Sequence, residues 1–438
     1  MRFKLRYKRW LLLLLAGVLL LALGAYLNRE RLKQAVIAYK IRQMHIFTPP
    51  PRNPDESGWH RHRIDAQFYW DLAELRVARD KRTKLLNPEY KPLLAEVNRH
   101  QTAGEGMEYS MHIYREIRWR LNFTSDVEAT RARIADLRAS LTQPALQKQA
   151  TEQQAEDGSW GMGLNVWYLR MYYSVEAVND SLHGKDPKYP LSFLDRINSP
   201  EKLTAQLDAD LHDDFTKTGV FNREELDETF SGLARLIIKT ERPGYEFHPQ
   251  LKQALKDFVG RWQNPATGCW GQWMVDRQGR IWKMDDMAMT FHVISDLHGE
   301  VDHLDLIAQR VLQLDGINFP AGVRFNDHYE NHLNWDVVKI FRVAWPHLDA
   351  ATREQVRAEI SRMLNWCLTQ SCQPDGSFKV SDLDETLVDA CSYGDSFLNE
   401  TGFYRREDRF WTDQDFPEAE AIHGKINAER KKLGLSRP

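Results

Sequence analysis

The chain is poor in cysteine. Only Cys269, Cys367, Cys372 and Cys391 occur in 438 residues, and no two form a CxxC pair, so no zinc ribbon or redox dithiol is marked. The four are read either as disulfide partners in an oxidising compartment or as buried free thiols. Charge of one sign is also lacking. A net charge of −3 leaves no global basic field, which excludes nucleic acid as the main partner. There is no P-loop, no G-x-G-x-x-G, no G-x-S-x-G and no HExxH. Phosphate-cradling and serine-elbow chemistry therefore have no support. Alternating strand patterns are almost absent from Trp59 onward.

A hydrophobic content of 42% suffices for one large core or two ordinary ones. The 14 Trp and 15 Tyr are enough to line an apolar or sugar-stacking cavity, although aromatics also fill ordinary cores. The amino terminus, "MRFKLRYKRW", is basic and leads into an apolar run from Trp10 to Leu27, 18 residues long. That length suits a thin bilayer, so residues 1–28 are expected to be an uncleaved single-pass anchor, with "ALGA" at 22–25 offering a signal-peptide cleavage site as the alternative. The compact first basic cluster puts the amino terminus in the cytoplasm and the body in the periplasm or another extracytoplasmic space. The lipid bilayer is thus the first expected partner.

Residues 29–58 read as a basic juxtamembrane helix followed by the linker "TPPPRNPDESG", whose clustered prolines forbid regular helix. Beyond it, "AQFYWDLAELRVARD", "MEYSMHIYREIRWRL" and "SDVEATRARIADLRASL" place apolar residues at i, i+3, i+4 and i+7, the spacing of one buried helical face. The body is expected to be all-α: an N-terminal helical region over 59–150, a repeat-bearing body over 151–412, and a peripheral polar tail over 413–438.

Within the body a short pattern recurs: "QAEDGSW" (154–160), "QNPATGCW" (263–270) and "QPDGSF" (373–378), with looser copies "TKTGVF" (216–221) and "PAGVRF" (320–325). Five units at intervals of about 40–60 residues predict stacked helical hairpins. The Gly makes a sharp turn after one helix, the aromatic packs into the seam between hairpins, and the Gln satisfies open backbone groups at a helix end. Carboxylates follow three of the turns. Placing Leu226, Met284 and Leu383 in register aligns Asp227, Asp285 and Asp384, with Glu228, Asp286 and Glu385 beside them. Such acids either cap helix starts or, if the hairpins close into a ring, converge on one cavity mouth with shifted pKa values.

These repeats resemble the Q-x-x-D/E-G-x-W repeats of the terpenoid-cyclase and prenyltransferase superfamily, whose squalene and hopene cyclase members fold as α/α toroids. "QAEDGSW" matches the repeat fully, "QNPATGCW" has one extra spacer residue, and "QPDGSF" has a shorter spacer and Phe for Trp. The likeness spans roughly residues 150–405 and implies an α/α toroid of five to six helical hairpins. That family's D-x-D-D-T element is most nearly matched by Asp382, Asp384, Glu385 and Thr386, with Glu in place of the last Asp. The resemblance makes Asp384 the proton donor to an isoprene double bond, a role that requires it to stay protonated in a dry site.

"DHYENH" places His328 and His332 at i and i+4, a spacing that suits two ligands of a divalent metal if the segment is helical. No cofactor is otherwise required. Three functions remain open. One is an enzyme on an isoprenoid or lipid-linked substrate, with Asp384 as acid and Asp285 and Asp227 stabilising positive charge. The second is a glycan hydrolase or lyase with Asp285 and Asp384 as acid and base. The third is a non-catalytic binding toroid whose acids are caps. A closed dry cavity, an open cleft with Trp faces, or capped acids without a cavity would distinguish them.

Overall fold

The computed structural model describes residues 58–178, 186–219, 223–239 and 245–435 except 382, 384 and 385, together with 46–48 and the single residues Tyr26, Arg29, Val36 and Tyr39. The expected anchor over 1–28 and most of the expected helix and linker over 29–58 lie outside the described residues. Among the described residues no helix is long and apolar enough to cross a membrane.

The protein is mostly helical, as the 3.6-residue periodicity requires. Its principal helices are α1 (Gly58–Thr102), α2 (Glu108–Phe123), α3 (Val127–Ser140), α4 (Pro144–Glu152), α5 (Trp167–Glu176), α6 (Pro200–Leu211) and α7 (Arg223–Ala234). They continue with α8 (Leu251–Trp262), α9 (Met287–Asp296), α10 (Leu304–Gln313), α11 (Asn331–Ala344), α12 (Ala350–Trp366), α13 (Leu387–Glu400) and α14 (Ala419–Lys432). Side-chain caps set several starts. Asp126, Ser199, Asp286, Asp349 and Thr386 each accept from a backbone N–H three residues on, and Glu330 accepts from His332 and Leu333.

Packing partners trace a circuit. α5 packs on α7, α7 on α9, α9 on α11, α11 on α13, α13 on α1, and α1 on α2. The circuit closes where His112 of α2 lies 3.9 Å from the ring of Tyr173 on α5, and Arg115 of α2 sits over Tyr172 and Tyr173 at 5.2 and 5.5 Å. Burial pushes the His112 imidazole down to about 4, so it meets Tyr173 as a neutral ring. Other helices back this circuit: α3 and α4 behind α2, α6 behind α7 with α8 against α6, α10 and α12 behind α11, and α14 behind α13.

Four short strands, β1 (Phe47–Thr48), β2 (His212–Asp213), β3 (Trp273–Val275) and β4 (Ile281–Met284), form one small sheet in the order β1-β4-β3-β2. β3 and β4 are the antiparallel hairpin inserted after the second repeat turn. Trp282 of β4 is buried and stacks on Phe68 of α1 at 4.5 Å, while Arg277 makes two 2.7 Å hydrogen bonds to Asp71 of the same helix. The sheet is thereby fixed to α1.

The repeat turns do what their composition requires. Gln154 Nε2 donates to the carbonyls of Gly158 and Tyr189, both at 2.8 Å, and its Oε1 accepts from the Tyr189 N–H. Gln263 Nε2 donates to the carbonyls of Gly268 and Asp302, both at 2.9 Å. Gln373 instead reaches back to the Ser371 carbonyl, as its shorter spacer dictates. Trp160, Trp270 and Phe378 are all buried in the same core cluster. One expectation fails here. Residues expected as a peripheral tail form α14, with Ala419 and Ile426 in the core and the third repeat turn resting on its backbone. Its polar composition hid a narrow apolar face.

Two glycines separate the local from the tertiary cost of a turn. Gly376 has φ +95°, and a Cβ there would lie 2.4 Å from the Lys425 carbonyl carbon; Gly219 has φ +68° with open space around it. Gly219→Ala is expected to cost only the left-handed backbone penalty, about 1 kcal/mol. Gly376→Ala should exceed it by at least about 2 kcal/mol because backbone must move. Paired urea unfolding curves check the difference.

Candidate active site

The helix circuit encloses one large cavity of about 2100 Å³, lined from α1, α2, α5, α7, α9, α11, α13 and α14 and from the loop between α10 and α11. Its described lining holds eleven Arg or Lys side chains and eight Asp or Glu. The expected acidic mouth is therefore a mixed, strongly polar wall among the described residues.

At the start of α7 the buried Arg223 guanidinium bridges two carboxylates. Its Nε and Nη2 donate to Asp286 at 2.6 and 3.0 Å, and Nη2 also reaches Asp227 at 3.2 Å. Asp227 in turn accepts from His292 Nδ1 of α9 at 2.7 Å. Burial works against the His292 imidazolium, yet the charge and hydrogen bond of Asp227 hold its pKa at about 9. Burial likewise opposes the Asp227 carboxylate, but His292 and Arg223 keep it below the usual carboxylate range. At neutral pH the pair is thus an imidazolium beside a carboxylate, with Nδ1 committed to Asp227 and Nε2 carrying the second N–H.

An aromatic wall adjoins this pair. Phe291 lies 5.1 Å from Trp335 of α11, Trp335 lies 5.9 Å from Tyr393 of α13, and Tyr393 stacks on the His332 ring at 3.8 Å and 7°. All four line the cavity, as does His292. Behind them Asp336 of α11 is 2% exposed and its Oδ1 has no hydrogen-bond partner. Burial pushes its carboxyl up to about 7, opposed by His332 and His292 and assisted by Asp227 and Glu330.

The residues singled out from sequence fall into distinct places. Asp227 and Glu228 line the cavity. Asp286 is buried as the N-cap of α9 and the bidentate partner of Arg223. Asp285 does not line the cavity. It is fully buried against α10, accepting from Arg310 Nε at 2.8 Å, Thr267 Oγ1 at 2.8 Å and Asn264 Nδ2 at 3.3 Å. The expected alignment of Asp227 with Asp285 does not hold in space, because Asp227 sits about one turn inside α7 whereas Asp285 precedes the cap of α9. Asp382, Asp384 and Glu385 lie outside the described residues. His328 and His332 do not share a helical face: His328 lies in an exposed loop bridged to Phe325, and helix begins only at Asn331. Among the described residues no group of three or more His, Cys, Asp or Glu could hold a metal ion. The four cysteines are free thiols, all buried but the half-buried Cys372.

His292, Trp335, Asp336 and Tyr393 belong to no motif. The available signal was a polar side chain inside an apolar run, as in "TFHVISDL", which marks a buried partner without naming it. No protein-family model, no curated protein and no solved structure matches the chain.

Two variants test the electrostatics. Asp336, with a folded pKa of about 7 against an ordinary value near 4, contributes stability present at acid pH and lost as pH rises through 7. Asp336→Asn should raise Tm at about pH 8 and leave it nearly unchanged at about pH 4. His292, raised from 6.5 to about 9, contributes stability present below 6.5 that is lost as pH climbs through 9. Asp227→Asn leaves that buried cation unpaired and should cost about 3 kcal/mol near neutral pH, with the loss shrinking above about pH 9. Thermal melts across a pH series measure both.

Proposed function

We propose that the paired helices form an α/α toroid, with inner helices around the cavity and outer helices behind, and that the cavity binds and cleaves a glycan chain. The observation that carries this reading is the juxtaposition of a stacking wall (His332, Tyr393, Trp335, Phe291) with a fixed imidazolium, His292, in one polar cavity. Aromatic faces suit the apolar faces of sugar rings. A charged lining suits their hydroxyl and acidic groups better than it suits an isoprenoid chain. Asp227, held ionised by His292 and Arg223, is a poor proton donor to an alkene.

Of the two glycan chemistries, elimination fits better than hydrolysis. In β-elimination from a uronate, the proton beside the carboxylate is removed, its electron pair forms the new double bond, and the sugar–oxygen bond at the β position breaks with protonation of the leaving oxygen. His292 Nε2–H supplies fixed positive charge for the carboxylate and for the negative charge that develops on it. His332 and Tyr393, in contact with each other on the cavity wall, are the base and acid. Asp336 and Glu330 lie behind His332, and Asp227 positions His292. The chemistry needs no metal.

The test is incubation of the purified protein with uronate-containing polysaccharides while following the ultraviolet absorbance of the unsaturated product. Tyr393→Phe and His332→Gln are each expected to lower kcat by about 100-fold or more with little change in KM. New reducing ends without unsaturated product would replace elimination by hydrolysis. An absence of cleavage across neutral and acidic glycans would leave only a binding role.

A further inference from the structure

Away from the His292 wall, the part of the cavity between α1 and α2 carries a concentration of guanidinium groups that the proposed reaction does not use. Arg76, Arg79 and Arg82 follow one another at i, i+3 and i+6 on α1, so they share a face, and all three line the cavity. Arg115 and Arg118, again three apart, line it from α2. Asp80 pairs with Arg79 at 3.3 Å. Arg115 is occupied with Tyr172 and Tyr173 and feels the charges of Asp389 and Glu176. Asp80 is the one carboxylate among residues 76–82 and also attracts Arg76, so three guanidiniums of the row share it. Burial, assisted by the charge of Arg79 and opposed by Asp80, depresses the pKa of Arg76 to about 10, and burial with Arg79 likewise lowers that of Arg82.

Unsatisfied polar atoms occur at the same place. Arg82 Nε and Nη2, Asn87 Oδ1 and Tyr114 Oη are all buried without a hydrogen-bond partner, and all three residues line the cavity. Tyr114 is 1% exposed. Of these atoms, Arg82 Nε and Nη2 and Tyr114 Oη are donors, which an anion rich in acceptors would complete beside the row of like charges. The planar fork of Arg suits two-oxygen recognition of sulfate or carboxylate.

We propose that the α1–α2 side of the cavity is an anion subsite, in which Arg76, Arg79 and Arg82 bind sulfate or carboxylate groups of an acidic glycan at sugar units away from the cleavage point. The ligand class rests on the glycan reading above; the anion subsite does not. Polyanionic glycans are thereby selected over neutral ones, and the affinity depends on salt.

The experiment is calorimetric titration of the full chain with a sulfated oligosaccharide, a neutral oligosaccharide of equal length, and inorganic tripolyphosphate. The wild type is compared with the Arg76→Gln/Arg82→Gln variant, and an Arg82→Lys variant with matched thermal melts controls for folding. The sulfated sugar is expected to bind at least about tenfold more tightly than the neutral one, and the double variant to lose about tenfold or more of that affinity with a shallower salt dependence. Arg82→Lys should keep the charge-dependent part and lose only the bidentate part. Arg-dependent binding of tripolyphosphate without binding of either sugar would uphold the subsite and overturn the glycan reading. Equal affinities of the wild type and a folded double variant for every anion, or no anion binding by the wild type, would overturn the subsite.

Discussion

A single buried guanidinium ties one wall of the cavity together. Arg223 joins the start of α7 to the cap of α9 through Asp286 and shares Asp227 with His292, so three helix-borne charges and one imidazolium form a continuous network across two neighbouring helices. Each member is too buried to stand alone, and each is tolerable because the next neutralises it. The orientation of His292 follows from this network. The position of the aromatic wall follows from the packing of α9 on α11 and of α11 on α13.

The same logic separates the acids that tie helices together from those that face the cavity. Asp285 and Asp286 are adjacent in sequence, yet one bonds to Arg310 of α10 and the other to Arg223 of α7. Both precede the first helical residue, Met287, on extended backbone that continues from β4, where successive side chains point to opposite sides. Capping thus accounts for Asp286 and tethering of α10 for Asp285, while Asp227 and Glu228 reach the cavity.

Much of the architecture was legible because it rests on local rules. Apolar spacing predicted the helices, and the Gln-Gly-aromatic pattern predicted turns in which Gln154 and Gln263 bond to backbone carbonyls. The site was less legible, because its members come from α7, α9, α11 and α13 and meet only through tertiary packing. His292, Tyr393 and Asp336 each sit in helices whose sequences explain burial but not partnership. The two histidines of "DHYENH" looked like a helical pair only on the assumption that the helix starts earlier than Glu330, its actual cap, allows.

The sheet has a mechanical meaning. β1 is hydrogen-bonded along β4, and the Asp285 N–H donates to the Ile46 carbonyl at 2.9 Å, one residue before the carboxylate that grips Arg223. Tension applied to the polypeptide ahead of Ile46 is therefore delivered, through strand pairing and a few covalent bonds, to the first turn of α9. The sheet and the His292 wall thus share a lever arm at the start of α9.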